Sequence, residues 1–202
     1  MIQKELGSCG DLAIATYQAN AITQEEVGIH GIYKVVCRDA QGNIKWEDEF
    51  PNLVVAVGKQ EMLDTLLKGS AYTVTGPYLG LISGSTNTFS ASDTMTSHAG
   101  WSEFVNYTVG GSAVRGTAVF GSSTSTGTSP SNITTSTATA ITYTITGAGG
   151  VVGGCFLVLG AGASNAQSNT GGVLYSAGEF SVPKTTTAGD TVTVTYATTA
   201  TS

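Results

Sequence analysis

The sequence predicts a mainly β protein: an antiparallel β-sandwich, jelly-roll-like, with one short docked α-helix and an N-terminal arm. Three observations predict it. Charge nearly disappears from the second half: of 8 basic and 14 acidic residues, only Arg115, Glu179, Lys184 and Asp190 lie beyond residue 103. There Thr, Ser, Gly and Ala interleave with Val, Ile, Tyr and Phe in runs of period-two alternation, the periodicity of strands. Turn residues separate these runs at short intervals, as in an antiparallel sandwich.

The elements follow in order. Residues 1–28 show no clear periodicity and are assigned to the arm; residues 29–202 form the sandwich domain. Residues 31–50 read as a hairpin. Tyr33, Val35 and Cys37 alternate with Lys34, Val36 and Arg38, and Asp39-Ala40-Gln41-Gly42 supplies the turn. Ile44, Trp46, Asp48 and Phe50 then alternate with Lys45, Glu47 and Glu49. Asp48 falls on the otherwise apolar face, which marks a sheet edge or a specific contact. Pro51 ends the strand.

Residues 57–68 form the one convincing helix. Met62, Leu63, Leu66 and Leu67 make its apolar face, with Glu61, Asp64 and Lys68 elsewhere. Gly69 suits a C-terminal cap and Lys68 the negative end of the dipole. At about three turns the helix is too short to stand alone and must dock on the sheet.

Tyr78 to Ile82 is an apolar strand and Ser83 to Ser92 a polar loop. Val105 to Val109 and Ala113 to Phe120 are strand candidates split by Gly110-Gly111. Residues 121–137 are low-complexity and read as an exposed loop or mobile crossover. Ile141, Tyr143 and Ile145 alternate with threonines, as do Val192, Val194 and Tyr196. Val151 to Leu159 is apolar throughout except Gly153-Gly154, as for a strand buried on both faces with a bulge or close approach at the glycines. Val173 to Phe180 is less regular. The total is around eight strands.

A chain of 202 residues is one domain, or one domain plus an arm. Its basic residues are scattered, which argues against nucleic-acid binding. The longest uncharged apolar run, Gly147 to Ala163, is broken by glycines at 147, 149, 150, 153, 154, 160 and 162, which argues against a membrane helix. Cys9, Cys37 and Cys155 show neither disulfide nor zinc spacing. The first residues lack a signal-peptide pattern. A soluble protein made in a reducing cytoplasm is expected.

Groups for chemistry are few. Asp93, Ser97 and His98 could be read as a hydrolase constellation, but a nucleophile beside its own base rarely attains triad geometry, and no GxSxG elbow is present. The preferred reading is a turn in which Asp93 and Ser97 cap backbone groups while Trp101 anchors the loop. A metal site from His30, His98 and Glu47-Asp48-Glu49 fails because consecutive strand carboxylates point to alternating faces. The run Gly147 to Gly154 lacks a phosphate-loop lysine. Trp46, Trp101, Tyr72, Tyr78 and Tyr107 could stack on a sugar, although core packing explains them equally well. No catalytic residue, cofactor or metal is assigned; Trp46, Trp101, His98 and Asp93 are taken as structural anchors.

Several runs resemble a group of tailed-bacteriophage virion proteins: Asn52-Leu-Val-Val55, Gly58-Lys59, Leu63-Asp64, Gly69-Ser70-Ala-Tyr72, Tyr78-Leu-Gly80-Leu and Asp93-Thr-Met-Thr-Ser-His-Ala-Gly-Trp101. Gly178-Glu-Phe180 and Gly189-Asp190-Thr191 are similar to that group's closing strands. The resemblance covers about residues 50–197 and rests on turn and core signatures. It implies a capsid decoration, or cement, protein that binds the major capsid protein on the outer surface of the head and stabilises the lattice. A homo-oligomer is expected, a trimer before a dimer, with contacts near ~1,600 Å² each. The arm would reach neighbouring subunits. Other virion parts (head fibre, tail or baseplate subunit) and a carbohydrate-binding sandwich are the alternatives; an enzyme is not expected.

Overall fold

Two antiparallel sheets pack face to face, and a helix and a long loop cover the outside of one of them. The computed structural model describes residues 28–68, 72, 74–125, 131–134 and 139–201. The elements are β1 (Gly28–Arg38), β2 (Ile44–Pro51), β3 (Leu53–Val54), α1 (Ala56–Leu67), β4 (Tyr78–Ser83), β5 (Ser102–Phe104), β6 (Tyr107–Thr108), β7 (Gly116–Thr117), β8 (Thr124–Ser125), β9 (Ser131–Thr134), β10 (Ile141–Ile145), β11 (Gly150–Leu159), β12 (Val173–Thr186) and β13 (Thr191–Thr201).

The first sheet runs β2-β1-β13-β10-β6, with β9 pairing both β13 and β8; the second runs β3-β12-β11-β4-β5, with β7 beside β4. Period-two alternation places one face of each first-sheet strand inward. Tyr33, Val35, Cys37, Ile141, Tyr143, Ile145, Val192, Val194 and Tyr196 meet Leu79, Leu81, Cys155, Leu157 and Phe180 of the second sheet in the main core. The outward face carries the threonines, where Thr142 and Thr193 bond hydroxyl to hydroxyl at 3.2 Å.

The second sheet is buried on both sides. Ile82, Phe156, Val158, Leu174 and Ala177 face away from the sandwich into a second core with Val55, Met95 and Trp101. This is why β11 is continuously apolar. Its glycines permit close approach: the β11 register shifts between Val152 and Gly154, and a Cβ at Gly154 would collide with the Gly178 carbonyl.

The two sheets are tied at the open side by charge. Asp48 of β2 accepts a hydrogen bond from Ser181 Oγ at 2.9 Å and pairs with Lys184 Nζ at 3.2 Å, both on β12. Its place on the apolar face of β2 thus faces the opposite sheet. At the corner where β12 turns into β13, Asp190 pairs with Lys45 at 2.6 Å and accepts the Thr187 backbone N–H at 2.8 Å. Burial works against ionisation of both carboxyls. The hydrogen bonds from Ser181 and Lys184 to Asp48, and from Lys45 and Thr187 to Asp190, outweigh it and hold both below the usual carboxylate range.

Several sequence expectations change. The helix begins at Ala56 and ends at Leu67. Lys68, whose N–H bonds the Asp64 carbonyl, is its C-cap; Gly69 lies outside the described residues. The expected strands at 105–109 and 113–120 shrink to β6 and β7, and β5 begins at Ser102. Two-residue pairings leave no alternation to detect. Within 121–137, residues 126–130 and 135–137 lie outside the described residues, while β8 and β9 form a small hairpin-like pair. Of the expected arm, residues 1–27 lie outside the described residues and Gly28 already pairs with Thr201 in β1.

The largest departure is the orientation of α1. Its buried residues are Gly58 and Glu61, while Leu63, Leu66 and Leu67 are 57%, 75% and 74% exposed. The reason is a backbone contact. Val55 N–H donates to the Tyr175 carbonyl at 3.1 Å, and a Cβ on residue 58 would collide with that same carbonyl. The glycine face is therefore the face that can lie flat on β12, and the leucine stripe, rotated away from it, points outward.

Candidate functional site: two cavities over the second sheet

Two cavities open on the outer side of the second sheet, and each has a buried glutamate in its wall. The first measures about 250 Å³ and is lined by Met95, His98, Trp101, Glu103, Arg115 and Phe156 among others. Asp93 closes its turn by accepting the Ser90 backbone N–H at 3.1 Å and the Trp101 indole N–H at 3.2 Å. His98 Nδ1 donates to the Trp101 carbonyl at 3.0 Å, and the two rings stack with centroids 3.9 Å apart. Trp101 itself is buried and lies against Phe156, centroids 5.2 Å apart. Asp93 and His98 thus both bind Trp101, and neither bonds the other. Ser97 bonds Thr94 through its backbone N–H at 3.0 Å. The three residues weighed for hydrolysis do not form a relay.

Sequence reasoning missed the centre of this cavity. Arg115 is 1% exposed. Its Nε and Nη2 donate to the two oxygens of Glu103 at 2.9 and 2.7 Å. Nη1 donates to the Ser164 carbonyl at 3.2 Å and Nη2 also to the Asn169 carbonyl at 2.7 Å. The Ser168 N–H, at a positive φ of 60°, adds a bond of 2.8 Å to Glu103. The guanidinium sits 5.1 Å from the Phe156 ring centroid. A buried ion pair is tolerable only when its remaining donors and acceptors are met in this way. The one sequence signal was the isolation of Arg115 in an uncharged stretch; its partner could not be read from spacing.

The second cavity, about 520 Å³, is lined by Glu61, Met62, Thr65, Leu66, Val74, Leu159 and Tyr175. Glu61 is 4% exposed. Its Oε2 accepts the Tyr72 hydroxyl, which pushes the Tyr72 pKa up to about 12. Its Oε1 has no hydrogen-bond partner. Gly160, at a φ of 87°, makes the room for this carboxyl, since a Cβ there would strike it. Tyr175 donates to Met62 Sδ at 3.5 Å across the cavity floor.

Trp46 lies elsewhere, half-buried against the main core, in an edge-to-face contact with Phe180 at 5.4 Å. Tyr107 is buried in the main core and Trp101 in the second, so these aromatics do not share an exposed stacking platform. Glu47 and Glu49 point away from Asp48, and Glu49 pairs with Lys34 at 2.8 Å. Among the described residues no group of three or more His, Cys, Asp or Glu could hold a metal, and no helix is long and apolar enough to cross a membrane. No protein-family model matches the chain, and neither a curated protein nor a solved structure matches it.

Proposed function

We propose that this chain is a structural subunit that docks on a protein lattice, as a capsid decoration protein on the outer surface of a phage head, and acts there as a homo-oligomer, a trimer before a dimer. One observation carries the reading: α1 presents Leu63, Leu66 and Leu67 to solvent in a row. A short helix normally buries its apolar stripe, and a contiguous exposed apolar patch marks an interaction surface. The threonine-covered outer face of β10 and β13 supports it, since neutral hydroxyls associate with little charge desolvation.

Purified protein incubated with expanded, empty capsids is expected to co-sediment with them. The double variant Leu66→Asp, Leu67→Asp is expected to stay in the supernatant while remaining folded. Binding to tails and not heads would move the protein to another part of the virion. A monomer that pellets with no virion component would end the proposal.

A further inference from the structure

The geometry points to the cavity under α1 as a binding site for an aliphatic ammonium: a primary amine carried on an apolar stem, as in a lysine side chain or a free alkylamine. Three features select that chemistry. The wall is apolar, with Met62, Leu66, Val74 and Leu159 able to pack a hydrocarbon stem. A volume of about 520 Å³ is of the size of small-molecule sites. One polar group is left wanting: Glu61 Oε1, on a side chain buried to within 4%, has no donor. A buried carboxylate oxygen without a donor is costly, and most such groups are met.

The state of the other oxygen decides which cation fits. Tyr72 already occupies Oε2. A guanidinium binds carboxylate most strongly as a two-pronged fork to both oxygens, as Arg115 does with Glu103, whereas here only Oε1 is without a donor. An ammonium is a compact point donor and needs one. A metal ion would need further ligands, and among the described residues none cluster there.

The test is a titration of n-hexylammonium into the full chain near neutral pH, followed by the Met62 and Met95 methyl signals. The Met62 methyl is expected to shift saturably and Met95, in the second core near the other cavity, to stay in place. Hexan-1-ol should bind at least ~10-fold more weakly and hexanoate not at all, given that hydrogen bonds to charged groups contribute more than neutral ones. Glu61→Gln, with an unmoved Met95 signal as proof of fold, should reduce hexylammonium to the affinity of hexanol. Equal binding of amine and alcohol, or an unchanged affinity in Glu61→Gln, overturns the assignment.

Lys4 is the sole basic residue before β1. Tighter hexylammonium binding in Lys4→Gln identifies the chain's own lysine as the natural occupant; unchanged binding assigns the site to an ammonium from outside. The titration needs no capsid, so it stands or falls separately from the lattice reading.

Discussion

The two cavities over the second sheet pose one electrostatic problem and answer it differently. Glu103 and Glu61 are both buried carboxyls beside the same β-layer. Glu103 receives Nε and Nη2 of Arg115 and the Ser168 N–H, and Nη1 and Nη2 of Arg115 also reach the Ser164 and Asn169 carbonyls. Glu61 receives one tyrosine hydroxyl and keeps one oxygen unmet. The first arrangement is closed: a ligand entering it would have to displace bonds already made. The second is open, both in its cavity and in the leucine stripe beside it. Within one fold, a satisfied charge network marks a strut and an unsatisfied one marks a place for a partner.

The sharpest way to break this contrast is to remove Arg115. Arg115→Met leaves Glu103 buried without its cation and should cost about 3–5 kcal/mol, read as a fall in the urea midpoint. Glu103→Gln should be comparably harmful because it strands the guanidinium. Glu61→Gln should do the opposite, changing stability by no more than about 1 kcal/mol, since an amide can still accept from Tyr72 and no cation among the described residues loses its partner. If Glu61→Gln proves as damaging as Glu103→Gln, the two sites are alike and the comparison fails.

What sequence alone could show follows from the range of the forces involved. The hairpin at 31–50 and the strands at 141–145 and 191–196 were legible because alternation is local. The double-sided burial of β11 was legible because a strand covered on both faces has no polar register. The orientation of α1 was not. Its leucines form a proper amphipathic stripe, and only the long-range fit of Gly58 against the Tyr175 carbonyl turns that stripe outward. The Arg115 pairing was equally hidden, since nothing local joins it to Glu103. In hindsight the charge pattern held a clue. Of the four charged residues beyond 103, three pair with residues of the charged first half: Arg115 with Glu103, Lys184 with Asp48 and Asp190 with Lys45. The uncharged half carries charge mainly where it must be tied to the other half.

The glycine that orients α1 gives the next largest effect. Gly58→Ala forces a methyl into the Tyr175 backbone and should cost about 1–3 kcal/mol, the usual range for overpacking, despite the better helix propensity of alanine. Raised amide exchange confined to α1 and β3 would show that the helix has lifted from β12. A neutral or stabilising result would mean that something other than this contact sets the helix face.

A smaller effect tests the met charges at the sandwich corner. Asp190 has its folded pKa lowered, so its contribution is fully present above the unfolded value, about 3.9, and is lost as pH falls through the folded value. Asp190→Asn should therefore lower stability by about 2 kcal/mol at neutral pH, and the gap from the parent protein should close progressively below about pH 4. Parallel pH curves would show that the Lys45 and Thr187 bonds contribute nothing through charge.

The smallest effect on stability carries most of the weight for function. Leu66 and Leu67 are three-quarters exposed, so the double variant Leu66→Ser, Leu67→Ser removes almost no buried area and should shift stability by less than about 0.5 kcal/mol. A core stripe would behave otherwise, since each buried leucine lost to a small residue costs about 2–5 kcal/mol. A measured loss in that higher range would mean that the stripe is covered in the isolated protein, and the patch would cease to be available to a lattice. A negligible loss, joined to failure of the variant to bind capsids, separates the two roles of α1: Gly58 lets it lie flat on β12, and the leucines are left for the partner.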